Sequence, residues 1–549
     1  MKKIIFFLAA AFSISLSAQK AAPLKEAPTN WFNLSYSTDK VHGVRTEQTY
    51  ADLIKGKQAD TVIVAVLDSG VDYDHEDLKS VMWHNPGEIP GNGIDDDKNG
   101  YIDDVYGWNF IGGKDGKNVE FDNLELVRVL RPMDKKYKAY SESTVPPTEK
   151  ADYQKYMTLK KEYESRLSEN QKNLDTYTKI KDLLDGMKSE IKKQQKIDTV
   201  LYEDFKKYIP TDKYKGIYTF VKIFTSDEKS FADFNSGINE GYKQLYDMVN
   251  YNLNMDYDPR SIVGDNYEDA SEKYYGNNDV KGPDCLHGTH VAGIIAANRF
   301  NNLGILGIAA PVKIMAIRAV PNGDERDKDI ANGIRYAVDN GAKIINMSFG
   351  KGYSYNKGAV DDAVKYAESK GVLLIHAAGN DSQNNDNITD YPNDHYESGG
   401  IASNWIEVGA LSWQDGKQLV APFSNFGKVE VDVFAPGVDI KSCKVGGGYL
   451  NESGTSMASP VTAGVAAVLR IYFPTLTAAE IKSIIEQSTD KSMANKKINR
   501  PGGKPRLSPK KQAKKGNRAK KVKFKTLSKT GGMVDLYAAF QLAETMTKK

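Results

Sequence analysis

The sequence predicts an α/β fold, a three-layer α/β/α sandwich whose mainly parallel sheet is covered by helices on both faces. Three observations carry that expectation. Residues 61–67 (TVIVAVL) form a short, β-branched run without polar alternation, the pattern of a strand buried on both sides. Similar runs recur at 313–320, 343–347 and 372–377, and segments of helical period lie between them at 328–340 and 357–369. The runs at 61–67 and 372–377 lead into Asp68-Ser69-Gly70 and Ala378-Gly379-Asn380, and the carboxyl ends of parallel strands are where such sheets place their sites.

Taken in order, the chain of 549 residues, 40% hydrophobic and 27% charged, has room for a large core. Residues 1–18 carry Lys2 and Lys3, an apolar run at 4–16 and small residues before Gln19. They read as a secretory signal peptide, so the protein is expected to be exported, to the periplasm or the medium. No later run is long and apolar enough for stable membrane insertion. Residues 19–60 are mixed and polar, an arm expected to pack on the α/β domain and too short for a sizeable folding pro-domain.

After the first strand comes NGIDDDKNGYIDD (92–104). Oxygen-bearing side chains at Asp95, Asp97 and Asn99, a glycine at 100, then Tyr101, Asp103 and Asp104 place hard ligands at alternating positions round one loop, which suits a structural Ca²⁺. No organic cofactor is implied.

From 121 to 275 the character changes. Lys, Glu, Tyr and Leu dominate, and Tyr156, Tyr163, Leu167, Leu174, Tyr177, Leu184 and Ile191 recur in steps of three, four or seven. This predicts a long amphipathic helix or helical hairpin, an insertion serving either as decoration or as a lid or substrate-selecting arm. It divides the α/β domain into 61–120 and 276–549. Further strands are expected at 405–410 and 431–434, and helices at 478–488 and 534–546.

Residues 491–530 hold 16 Lys and Arg and no Asp or Glu, while without Lys2 and Lys3 the basic residues balance the 72 acidic ones over the chain. They read as a flexible basic loop within the α/β domain, suited to contact with a polyanion. With Phe524 its one aromatic, nucleic acid is not an expected partner. A monomer is the default.

The chemistry centres on Gly454-Thr455-Ser456-Met457-Ala458-Ser459-Pro460, a turn feeding an apolar helix. A hydroxyl at a helix N-terminus sits where backbone N–H groups favour a developing oxyanion, which makes Ser456 the candidate nucleophile. It needs a base and an orienting carboxylate. Of the seven histidines, His287 is the best placed: it opens a helix, and Gly288 is expected to let substrate backbone approach. His290 is read as structural, since no Glu lies between the two as in the His-Glu-x-x-His zinc motif. Asn380, at a strand end, can offer its amide to the oxyanion.

VAVLDSGVDYDHEDL around Asp68, HGTHVAGIIAA around His287 and SGTSMASPVTAGVAAVL around Ser456 resemble the three signature blocks of the subtilisin-like serine peptidases, in the family's order. AAGND resembles its oxyanion block, and INMSFG (345–350) the strand along which substrate backbone pairs. The resemblance implies a subtilisin-like fold and an endopeptidase acting on polypeptides. It casts Ser456 as nucleophile, His287 as base and then acid, Asp68 as its orienting partner and Asn380 as oxyanion donor. Ser348, Phe349 and Gly350 on one side, and Ala377, Ala378 and Gly379 on the other, would line the pocket for the residue before the scissile bond. Small residues there suggest an open, mainly apolar pocket, narrowed at its mouth by Phe349 and Lys351. Cys285 and Cys443 flank the predicted site, and a disulfide or two thiols both fit their positions. An α/β-hydrolase esterase is disfavoured, because Ala458 stands where its Gly-x-Ser-x-Gly turn needs glycine. A non-catalytic binding protein is disfavoured by four competent catalytic positions.

Overall fold

The computed structural model describes residues 24–502 and 520–548; the signal-peptide reading at 1–18 lies outside them. The core is a seven-stranded parallel sheet. In chain order its strands are β1 (Val62–Asp68), β2 (Gly107–Asn109), β3 (Val312–Arg318), β4 (Ile344–Met347), β5 (Leu373–Ala377), β6 (Trp405–Leu411) and β7 (Val433–Pro436), arranged β2-β3-β1-β4-β5-β6-β7. Every pair in it is parallel, with β1 in register against β3 from Val62 opposite Val312 to Asp68 opposite Arg318.

Alternation along β1 explains its unbroken apolar run. Val64 and Val66 enter the core on one face, while Ala65 and Leu67 enter the core on the other. The first face carries the helices Leu286–Ala296 and Thr455–Tyr472, backed by Ala478–Gln487 and Leu536–Thr547. The second carries Asp327–Asp339 and Lys357–Ser369, which pack on each other. From the N-terminal arm, Trp31, Phe32, Val41 and Val44 are buried in the first core, and Trp31 Nε1 donates to the Val438 carbonyl.

Residues 121–275 contain no strand of the main sheet. Helix α1 (Glu125–Tyr137) is followed by α2 (Lys150–Gln195), a single helix of 46 residues, and then by α3 (Tyr202–Lys207), α4 (Lys215–Phe224) and α5 (Glu228–Asp247). At 1.5 Å per residue α2 is about 69 Å long. It serves two separate cores. Near the sheet, Tyr153, Tyr156 and Leu159 pack with Leu126, Leu130 and Tyr137; at the far end, Leu184, Met187 and Ile191 pack with Phe205, Val221 and Phe231. Cores at both ends account for a helix that runs unbroken through Lys160, Asn170 and Lys181.

The basic segment is anchored on both sides of its central part, 503–519, which lies outside the described residues. Lys497–Asn499 pairs antiparallel with Lys521–Lys523, and Ile498 and Phe524 are fully buried beside Phe434. The flexible-loop expectation therefore fails for these flanks, because apolar residues between the lysines dock them on the domain.

Candidate active site

The carboxyl ends of β1 and β5 and the starts of the Leu286–Ala296 and Thr455–Tyr472 helices bring the four expected catalytic residues to the carboxyl end of the sheet. Asp68 is the last residue of β1, 1% exposed, and its Oδ1 lies 2.7 Å from His287 Nδ1. The same oxygen accepts the Ser69 backbone N–H at 2.7 Å. His287 occupies the first turn of its helix. Gly288 lets that turn meet the strand, since a Cβ there would come within 2.1 Å of the Gly70 carbonyl oxygen and 3.2 Å of Asp68 Cβ. This corrects the expectation that Gly288 admits substrate: the space it leaves is filled by the protein's own backbone. Desolvation favours neutral His287, but the Asp68 charge and hydrogen bond outweigh it and hold the imidazole pKa above its ordinary value.

Ser456 is the second residue of its helix, so its backbone N–H is among the donors left without an intrahelical partner. Its hydroxyl donates to the Ser348 carbonyl at 3.2 Å, and Ser348 Oγ donates to the Ser456 carbonyl at 2.9 Å. Ser459 and Asn346 extend this network, Ser459 Oγ donating to Asn346 Oδ1 and Asn346 Nδ2 to Ser348 Oγ. Asn380 Oδ1 accepts both the N–H and the hydroxyl of Thr455, at 2.9 and 3.0 Å. With the carbonyl end fixed, Nδ2 is the end left to serve a substrate oxyanion, and Asn380 and Ser456 line the same cavity. Asp68, His287 and Ser348 line a neighbouring cavity, so Ser348 stands between the two halves of the triad.

His290 is buried and donates from Nε2 to the Ile440 carbonyl at 3.0 Å, and burial lowers its pKa to about 4. That is the structural role expected of it. Cys285 and Cys443 are buried free thiols, and burial raises the pKa of both.

The cavity beside Ser456 holds about 880 Å³. Of the six residues expected to line the pocket, Phe349, Gly350, Ala377 and Gly379 line this cavity; Ser348 lines the neighbouring one with His287 instead, and Ala378 is fully buried in a core with Leu411 and Phe434. Its side chain faces the later strands instead, where Leu411 ends β6 and Phe434 lies in β7. The apolar expectation also fails, because Glu162, Arg166, Asp324, Asp381 and Asp390 join the lining. Lys351 does not narrow the mouth. Its ammonium is buried 2.7 Å from Asp327 and 3.1 Å from Glu125, and donates to the Glu325 carbonyl. Leu124, Leu126, Glu162 and Arg166 belong to the 121–275 region, which thereby supplies part of the wall; Tyr353, another lining residue, donates its hydroxyl to Glu162. No local signal in the sequence places these residues beside Ser456.

Of the six expected calcium ligands, Asp95 and Asp97 converge, with Glu88 as an unexpected third: carboxylate oxygens of the three lie within 4.8 Å of one another. The others are turned elsewhere. Asp103 accepts the N–H groups of Gly91 and Gly93, Asp104 accepts from Asn85, Asn99 and the Tyr336 hydroxyl, and the Tyr101 ring packs among Trp108, Phe110 and Tyr336. Asn99 Nδ2 donates to Asp97 and Asp104. Burial raises the pKa of Glu88, and a hard divalent cation would relieve that crowding of carboxylates. Glu88, Asp95 and Asp97 suit it chemically.

The subtilase family profile matches residues 59–505. A thermophilic serine proteinase from Bacillus sp. (strain AK1) is 44% identical over 206 residues, 37% of this chain and 47% of that protein. A thermostable alkaline protease from Halalkalibacterium halodurans is 36% identical over 232 residues, 42% of this chain and 58% of that protein. Thermitase from Thermoactinomyces vulgaris is 39% identical over 236 residues, 42% of this chain and 78% of that protein. Against the first two, the chain spans only about half of the relative's length.

Proposed function

The chain belongs to the subtilase family, and from that premise we propose that it is a serine endopeptidase acting through an acyl-enzyme. The observation that carries the reading is the 2.7 Å Asp68–His287 bond, in a cavity that neighbours the one lined by Ser456 and Asn380. With Nδ1 held by Asp68, His287 presents Nε2 as the basic nitrogen. Ser456 Oγ leaves its contact with the Ser348 carbonyl, gives its proton to Nε2 and bonds to the scissile carbonyl carbon. The carbonyl oxygen takes the displaced electron pair between Asn380 Nδ2 and the Ser456 N–H. Collapse breaks the C–N bond as His287 returns the proton to the leaving amine, and water repeats the sequence to free Ser456.

Two further readings accompany it. Glu88, Asp95 and Asp97 would hold a structural Ca²⁺ that stabilises the 92–104 loop. The 1–18 segment supports export, and the basic 491–530 segment supports polyanion contact. The experiment is hydrolysis of unfolded casein by wild type and Ser456→Ala, with a serine-directed inhibitor. Activity in the wild type alone supports the reading, and equal activity in both overturns it.

A further inference from the structure

Within the endopeptidase reading, on which it rests, we propose that the cavity beside Ser456 selects a cationic side chain, lysine or arginine, in the residue before the scissile bond, and that Asp390 is the residue that recognises it. The charges round the cavity are unevenly satisfied. Its two lining cations are already committed: Lys351 to Glu125 and Asp327, and Arg166 to Glu162 at 2.6 Å. Three lining carboxylates, Asp324, Asp381 and Asp390, form no ion pair with another described residue's side chain. Asp324 is partly satisfied by the Glu125 N–H at 2.7 Å, and Asp381 is exposed.

Asp390 is the best placed of the three. A Cβ built on Gly379, the residue before Asn380, would meet the buried Asn425 Nδ2 at 2.5 Å and Asp390 Oδ2 at 3.4 Å, which sets this carboxylate beside the strand end that carries the oxyanion donor. Burial raises its pKa to about 6, with His376 pulling down and Glu407 pushing up. His376 is itself taken by Glu407, its Nδ1 lying 2.9 Å from Glu407 Oε2. A half-buried carboxylate that forms no ion pair, and whose cationic neighbour His376 is shared with Glu407, is stabilised by an incoming ammonium or guanidinium, and a glutamate side chain entering the same cavity is repelled. The rest of the lining suits a long aliphatic stem, because Leu126, Phe349 and Ile388 offer apolar surface for methylenes while the charged head reaches the carboxylates.

The test uses succinyl-Ala-Ala-Pro-X-p-nitroanilides with X as Arg, Lys, Leu or Glu. The expected kcat/KM is at least tenfold higher for Arg or Lys than for Leu, with Glu lowest, and the Arg-to-Leu ratio falls at least fivefold in Asp390→Asn. A wild type that prefers Leu, or a smaller fall in the ratio, overturns the proposal and leaves the endopeptidase reading standing. A readout independent of turnover is p-aminobenzamidine fluorescence with folded Ser456→Ala. Saturable binding, weakened at least fivefold by adding Asp390→Asn, is expected, and its absence overturns the proposal. Binding of this probe together with no hydrolysis of any peptide would instead count against the endopeptidase reading alone. If Asp390→Asn does not fold, competitive inhibition of wild-type Leu-peptide hydrolysis by p-aminobenzamidine decides in the same way.

Discussion

Lys351→Met asks whether the inserted region is part of the pocket or merely attached to it. The ammonium of Lys351 is almost wholly buried against two carboxylates, Glu125 at the first position of α1 and Asp327 at the start of the Asp327–Asp339 helix. Methionine keeps most of the side-chain volume and removes the charge. Glu125 would keep Arg128 and the Tyr355 N–H, and Asp327 would keep the Ser354 hydroxyl and the Asn356 N–H. Each would still lose its link to the other in a region closed to water. Breaking a buried pair from one side typically costs about 3–5 kcal/mol, against about 0–1 kcal/mol for a surface pair. Partial compensation by the remaining donors puts the expected loss near the lower figure, about 3 kcal/mol. The assay is urea unfolding at pH 7 in a Ser456→Ala background, which prevents self-digestion. Asp327 has a pKa lowered by Lys351 despite the opposing effect of burial, so its contribution is present above its unfolded pKa and is lost as pH falls through the folded one. The gap between Lys351→Met and its parent should therefore narrow in acid. A loss under about 1 kcal/mol at pH 7, the range of a surface pair, or a gap that widens in acid, would refute the view that insertion and pocket share a buried charge network.

Other outcomes follow from the site. Asn380→Ala removes one oxyanion donor and should lower kcat by about 10²–10³ with KM much less affected, measured on a p-nitroanilide peptide. Because His287 must be neutral to act as base and its pKa is held above the ordinary value by Asp68, kcat/KM should fall on acidification with a midpoint above the ordinary histidine value; a midpoint below that value would contradict the Asp68–His287 pairing. Chelation should lower the unfolding midpoint of the Ser456→Ala protein. Saturating Ca²⁺ at about 100 times Kd should restore about 2.7 kcal/mol, and Asp95→Asn with Asp97→Asn should abolish that response.

The sheet was legible because a strand buried on both faces leaves a continuous run without polar alternation, as at 61–67, and because the helices between such runs keep their own period. The candidate catalytic residues stood out in the sequence because each sits in a local block whose turn and helix start are encoded by neighbouring glycines and small residues. What escaped depends on distant approach. β2 is three residues long, too short for any period to register. Glu88 meets Asp95 and Asp97 through a loop that folds back, and Asp390 reaches Gly379 across an irregular connection. Ala378 was misplaced because its burial depends on Leu411 and Phe434, which arrive on later strands. The regular spacing along α2 revealed a helix, but not that its two ends serve separate cores or that Glu162 and Arg166 stand at the cavity.

The central claim, that Ser456 is a nucleophile activated through His287 and Asp68, is tested most directly by labelling the purified protein with a fluorophosphonate and mapping the adduct by mass spectrometry. A single adduct on Ser456, formed at least 10³-fold more slowly in His287→Ala, is predicted. Labelling at another serine, or labelling of Ser456 that is indifferent to His287, would contradict it.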